Sequence, residues 1–186
     1  MTLQRFNIEA WIDGEIRDGR GRIIKKLRPR RARSYVLAFL DHLGVAMSYV
    51  AVAILDTGGV SRSVAAYASF MRVDAGAATT TYGIVIGTGT TPVALADYKL
   101  ETQVVTNITH SSVTVAAPTT DGTTRLFEIV RTFTNNTGAT IDITEVGLYC
   151  LTGSSSYKFC LDRSLYSVSV NNGASVSLRY RIKVTV

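Results

Sequence analysis

From Tyr166 to Val186, apolar and polar side chains alternate with a period of two. Tyr166, Val168 and Val170 share one parity before Asn171-Asn172-Gly173, and Val176, Leu178, Tyr180, Ile182, Val184 and Val186 share one after it. Ser167, Ser169, Ser175, Ser177, Arg179, Arg181, Lys183 and Thr185 fill the alternate positions. A helix would smear this pattern around its circumference, whereas a strand sends successive side chains to opposite faces. The segment reads as an antiparallel hairpin turning at Asn-Asn-Gly, with one buried face and one wet, partly basic face.

The same texture runs upstream. Phe127, Ile129, Arg131 and Phe133 alternate with Glu128, Val130 and Thr132, and Asn135-Asn136-Thr137-Gly138 supplies residues that tolerate positive φ. Ile141 and Ile143 lie on one parity and Val146 and Leu148 on the other, which predicts a bulge near Thr144-Glu145. Val45–Leu55, Ser63–Val73, Tyr82–Ile86 and Ser112–Ala116 are further strand candidates, separated by glycine breaks. Tyr98–Val105 reads as either a short helix or a strand. One short helix is expected near 34–43, capped by Ser34 and closed by Gly44. Short strands punctuated by turns, with no β–α–β alternation, predict a mainly-β chain. The expected architecture is an antiparallel β-sandwich or jelly-roll-like domain over residues 34–186.

Charge divides the chain differently. Residues 1–33 hold ten basic and four acidic side chains, and residues 34–186 hold ten of each. The whole formal excess of +6 therefore lies in the first sixth of the chain. Phe6, Ile8, Ala10 and Ile12 share a parity, so a short edge strand or an extended arm is possible there, and Asp18-Gly19-Arg20-Gly21 reads as a turn. This leader is expected to be an extended basic N-terminal arm that meets an anionic partner through Arg20, Arg22, Lys25, Lys26, Arg28, Arg30, Arg31 and Arg33. Aromatic side chains do not interleave with Arg17–Arg33, so the arm would contact phosphates without reading sequence.

Catalytic and metal-binding patterns are not apparent. His42 and His110 stand alone and read as surface or hydrogen-bonded core residues. Gly87-Thr88-Gly89 lacks the lysine of a phosphate loop, and the acids are scattered, with only Asp142 and Glu145 close enough to share a cation. The residues point to no reaction, cofactor or small-molecule substrate. Tyr35–Leu55 is apolar behind a basic cluster, the outline of a membrane span, but Asp41, His42 and Gly44 favour a break between two elements. Met1–Ala10 has no secretory apolar run, so the chain is expected to be soluble and made in the cytoplasm. Cys150 and Cys160 flank a segment centred on Ser155. A hairpin there would oppose them directly, with Cβ atoms about 4.5–5.5 Å apart, near bonding distance. Two reduced, buried thiols are the alternative.

Several stretches resemble structural proteins of tailed bacteriophages. They are GIVIGTGTTPVALADYKL (Gly83–Leu100), FTNNTGATIDITEVGLY (Phe133–Tyr149), LDRSLYSVSVNNGASVSLRYRIKVTV (Leu161–Val186) and RARSYVLAFLDHL (Arg31–Leu43). The resemblance is to head-decoration, neck, tail-collar or fibre-attachment proteins. It implies a virion subunit, made in the host cytoplasm, that forms a symmetric homo-oligomer and contacts other virion proteins. Apolar and Thr-rich strand faces would then carry the subunit contacts, and the basic arm would reach a neighbouring subunit or an acidic portal or tail surface, or make non-specific contact with packaged DNA. The alternative is a carbohydrate- or surface-binding β-sandwich module, with Trp11, Tyr49, Tyr67 or Tyr82 as exposed aromatics.

Overall fold

The computed structural model describes residues 7–32, 35–48, 50–65, 71–152 and 156–185. The chain is mainly β, with one helix and two principal antiparallel sheets in a sandwich-like arrangement. The long sheet is built from β1 (Asn7–Arg17), β2 (Ile23–Ala32), β6 (Ile108–His110), β7 (Thr114–Val115), β8 (Thr119–Asp121), β9 (Thr124–Asn135) and β12 (Ser175–Thr185). Its order is β2-β1-β12-β9-β6, with β7 and β8 also paired to β9. The second sheet joins β5 (Gly83–Gly87), β10 (Ile141–Leu151) and β11 (Lys158–Val170) in the order β11-β10-β5. A small hairpin, β3 (Val52–Leu55) and β4 (Ser61–Val64), lies beside α1 (Leu37–Ser48).

The alternation that defines the strands also defines the core. Ile129 and Phe133 of β9 and Val176, Leu178 and Tyr180 of β12 point inward and are essentially inaccessible. They meet Ile143, Val146 and Leu148 of β10 and Tyr166, Val168 and Val170 of β11. The Tyr180 hydroxyl donates across the sandwich to Asp162 at 2.9 Å. Residues 159–164 of β11 and 145–150 of β10 are buried without alternation. Their second face is covered too, by α1 and by the segment between β5 and β6.

Three expectations change on this frame. The strands on either side of Asn171-Asn172-Gly173 do not pair with each other. β11 pairs with β10, whereas β12 pairs with β1 and β9, so the turn is an arch from one sheet to the other. The β9–β10 connection is a second arch, and the two are laced together. Gly173 N–H donates to Asn135 O at 2.7 Å, Asn135 N–H to Ala174 O at 2.9 Å, and the buried Asn135 amide to Val170 O at 2.8 Å. Alternation states which face of a strand is buried and leaves its partner open.

The leader is not a free arm. β1 pairs with β12 from Asn7↔Thr185 to Arg17↔Ser175, and β2 continues the sheet beyond it. Ala10, Ile12 and Ile16 are core residues. The turn expected at Asp18–Gly21 links β1 to β2, with Gly21 N–H donating to Asp18 O at 2.9 Å. Finally, α1 runs four residues past Gly44, because Ala38, His42 and Val45 make one continuous buried stripe against its neighbours. The expected cap Ser34 lies outside the described residues. No helix among the described residues is long and apolar enough to cross a membrane. The bulge expected at Thr144-Glu145 is present as a register shift between Ile143 and Glu145.

Candidate functional site

The cations singled out in the leader fall on one edge of the long sheet. Arg20 and Arg22 sit at the β1–β2 turn, and Lys25, Lys26, Arg28, Arg30 and Arg31 lie along β2; all are exposed. Arg33 lies outside the described residues. Two of them are already neutralised. Arg22 pairs with Asp18 at 2.7 Å, and Arg31 pairs with Glu9 while packing over the Trp11 ring. Arg30 rests over Tyr166 at 5.8 Å. Arg20, Lys25, Lys26, Arg28 and Arg30 pair with no carboxylate among the described residues. The β2 backbone is interrupted by two register shifts against β1, one of them beside Pro29.

Inboard of that edge, the outer face of the long sheet is a ladder of matched charge. Asp13, in the middle of β1, forms ion pairs with Arg179 at 3.1 Å and Arg181 at 2.9 Å across the β1–β12 register. Glu128 of β9 holds the same two arginines from the other side. The basic face expected for β12 is therefore largely spent inside the sheet. Trp11 lines a recess of about 330 Å³ with Pro29, Leu126 and Lys183. Arg31 and Lys183 approach its ring to 5.9 and 5.2 Å, and its N–H donates to Glu9 at 2.9 Å. The ring is half-buried. Tyr82 is half-buried, and Tyr49 and Tyr67 lie outside the described residues.

A second polar cluster, unforeseen in the sequence, lies on the other sheet. Glu145 is fully buried and accepts four hydrogen bonds: from Gly89 N–H at 3.1 Å, Thr102 N–H at 2.8 Å, Glu101 N–H at 3.1 Å and Arg163 Nε at 2.8 Å. Arg163 also donates to Asp97 at 2.8 Å and to Thr91 O at 3.1 Å. Glu101 receives the Thr90 and Thr91 N–H groups at 2.8 and 2.9 Å, and the Thr91 side chain foremost, with these N–H bonds, holds its carboxyl below the usual range. Together these bonds staple the β5–β6 segment onto the sheet. Gly87 and Gly89 are required by the close approach. A Cβ at Gly87 would sit 2.5 Å from Glu145 Oε1, and one at Gly89 would sit 2.6 Å from the same atom. Every oxygen of Glu145 is engaged, so the cluster is built to hold backbone. Asp142, the acid that might have shared a cation with Glu145, is exposed and bonded instead to Ser169.

No family model, curated protein or solved structure matches the chain. The staple joins three stretches far apart in the chain: Asp97 and Glu101 at or beside the end of Gly83–Leu100, Glu145 within Phe133–Tyr149, and Arg163 within Leu161–Val186. The Leu100 N–H donates to the Tyr149 hydroxyl within the same group. The sequence signal for it is slight: the closely spaced Gly87 and Gly89, and an acid, Glu145, set beside Val146 and Leu148.

The remaining candidates resolve as follows. Both cysteines are free, buried thiols. Cys150 stands opposite Phe159 and Cys160 opposite Tyr149, because a second register shift, between Leu148 and Tyr149, moves the pairing by one residue. Opposed residues share a face and neighbours alternate, so the two sulfurs lie on different faces of the sheet and the direct opposition expected for a disulfide is not formed. Burial pushes the Cys150 thiol up to about 12. His42 and His110 are both buried, and their ring nitrogens find no hydrogen-bond partner among the described residues. His42 packs edge-on to Phe159 and His110 edge-on to Phe133. Burial lowers both to about 4, aided at His110 by the neighbouring Arg131.

Proposed function

We propose that the chain is a structural subunit of a tailed-bacteriophage virion, assembling as a symmetric oligomer in the head, neck or tail. The observation that carries this reading is the meeting of the three phage-like segments in one buried ionic staple, where their shared residues serve a single scaffolding purpose. The staple and the charge ladder commit polar side chains to holding strands and loops, as a load-sharing subunit requires. The surface offers apolar contact area to a second copy. Leu37, Leu40 and Met47 make an exposed stripe on α1, Met47 being 81% accessible, and Leu95 is exposed on the segment whose carbonyl bonds the Leu37 N–H at 3.0 Å. A stripe of this kind marks an interaction site, and identical copies satisfy it by symmetry.

Sedimentation velocity of the purified chain tests the reading. A discrete oligomer is expected, and Leu40→Lys with Met47→Lys should dissociate it while leaving the β circular dichroism unchanged, since both side chains point outward. A parent chain that stays monomeric at high concentration would end the proposal.

A further inference from the structure

We propose that β2 and the turn before it bind the phosphate backbone of duplex DNA without reading its sequence. This deepens the virion reading and rests on it for the source of the duplex, while the charge pattern stands on its own. Five exposed cations, Arg20, Lys25, Lys26, Arg28 and Arg30, hold no carboxylate among the described residues, and all lie on one hairpin. From Lys25 to Arg30 they follow a line about 17 Å long at the rise of a strand. The line is the outermost edge of the sheet, so long side chains from both faces can turn toward one rod-like anion.

The nature of the anion follows from three observations. A second copy of this chain does not supply it. At least ten of the 14 carboxylates already hold an arginine or lysine, and the chain as a whole is cationic. An acidic strand adding to the edge is disfavoured as well. Two register shifts and Pro29, which has no N–H, break the ladder such a strand would need, and lysines on an edge are a known protection against that pairing. Single-stranded nucleic acid needs aromatic faces between the charges, and residues 20–30 contain none. A duplex backbone asks only for cations in a line.

Fluorescence anisotropy with a labelled duplex of about 30 base pairs and the purified full chain tests this. With five phosphate contacts, affinity should fall about 500-fold between about 50 and 200 mM salt, equally for two unrelated sequences. The triple variant Lys26→Ala, Arg28→Ala, Arg30→Ala should reduce that fall to about 12-fold, with circular dichroism unchanged. The charge-keeping variant Lys26→Arg, Arg28→Lys, Arg30→Lys should behave like the parent. Absence of duplex binding, a triple variant with the parent's salt slope, or tighter binding to phosphatidylserine vesicles or to polyglutamate than to the duplex would each overturn the assignment. Sedimentation of the same samples separates the two proposals. A monomer that binds duplex with this slope removes only the assembly reading, and an oligomer indifferent to duplex removes only this one.

Discussion

Arg163→Met is the substitution that most directly probes the scaffold. Methionine keeps the unbranched stem and removes the guanidinium. The side chain it replaces is 3% exposed, and its Nε bond to the fully buried Glu145 carboxylate disappears. Glu145 keeps three backbone N–H donors but loses its counter-charge. Asp97 loses its bond too, and the Thr91 carbonyl its donor. Removing one member of a buried ion pair costs about 3–5 kcal/mol. Domains of this kind hold only about 5–15 kcal/mol in all, so the variant should be folded but close to its limit. In many proteins an apolar replacement of both partners rescues such a loss. Here Glu145→Leu with Arg163→Met should not, because the carboxylate also answers the buried N–H of Gly89, which left unbonded costs about 1–3 kcal/mol, and the part-buried N–H groups of Glu101 and Thr102. Urea unfolding followed by Trp11, the only tryptophan and a residue of the opposite sheet, reads global stability. Hydrogen exchange at Gly89, Glu101 and Thr102 reads the staple itself and should speed up first. An Arg163→Met protein within 1 kcal/mol of the parent, about the value of an exposed pair, would refute the view that the network holds the segment in place.

The two buried histidines predict a sign for acid sensitivity. Their folded values near 4 lie below the unfolded 6.5, so between these limits only the unfolded chain gains protons. Stability should be full near pH 7.5 and fall by about 2 kcal/mol per histidine on going down to pH 5. Urea midpoints for His42→Leu with His110→Leu should be flatter across that window, and a double variant as steep as the parent would contradict the assignment. Deleting residues 1–32 should abolish cooperative unfolding, because β1 pairs with β12 along its length and contributes Ala10, Ile12 and Ile16 to the core. A truncated chain that keeps the parent's melting transition would show that the hairpin is dispensable.

The sequence revealed strands, faces and one irregularity, and it did so for a physical reason. A half-buried strand must alternate, so β9 and β12 are plain in their side chains, and a bulge must shift parity, so Ile143 and Val146 disclose it. Where both faces are covered, alternation vanishes. Residues 159–164 and 145–150 carry apolar, acidic and basic groups in succession, because each face has its own partner. Topology was hidden for a related reason. An Asn-Asn-Gly turn looks the same whether the next strand lies beside the last or across the core from it. The choice is made by Asn135, a residue 36 positions upstream of the arch it braces, and its role cannot be read from local periodicity.

Charge proved less legible than hydrophobicity, since a formal sum treats every arginine alike. Arg163 is enclosed among carboxylates, Arg131 is buried against the carbonyls of Ser111, Tyr82 and Ile84, and Arg179 and Arg181 are absorbed by Asp13 and Glu128. Each of these was already bound within the fold, and none is free to meet a partner. Most of the surplus that does face solvent is left on β2 and its turn by subtraction, with Lys99 and Arg125 the other exposed cations among the described residues that hold no carboxylate. A cation with no internal acid costs the folded chain repulsion from its neighbours, and clustering several on one edge raises that cost. An edge strand can bear it because the same charges bar unwanted strand pairing. A binding surface and a guard against aggregation thus coincide in one line of residues, so replacing those cations with neutral side chains should expose both roles together: weaker hold on a polyanion and a greater tendency of the bare edge to self-associate.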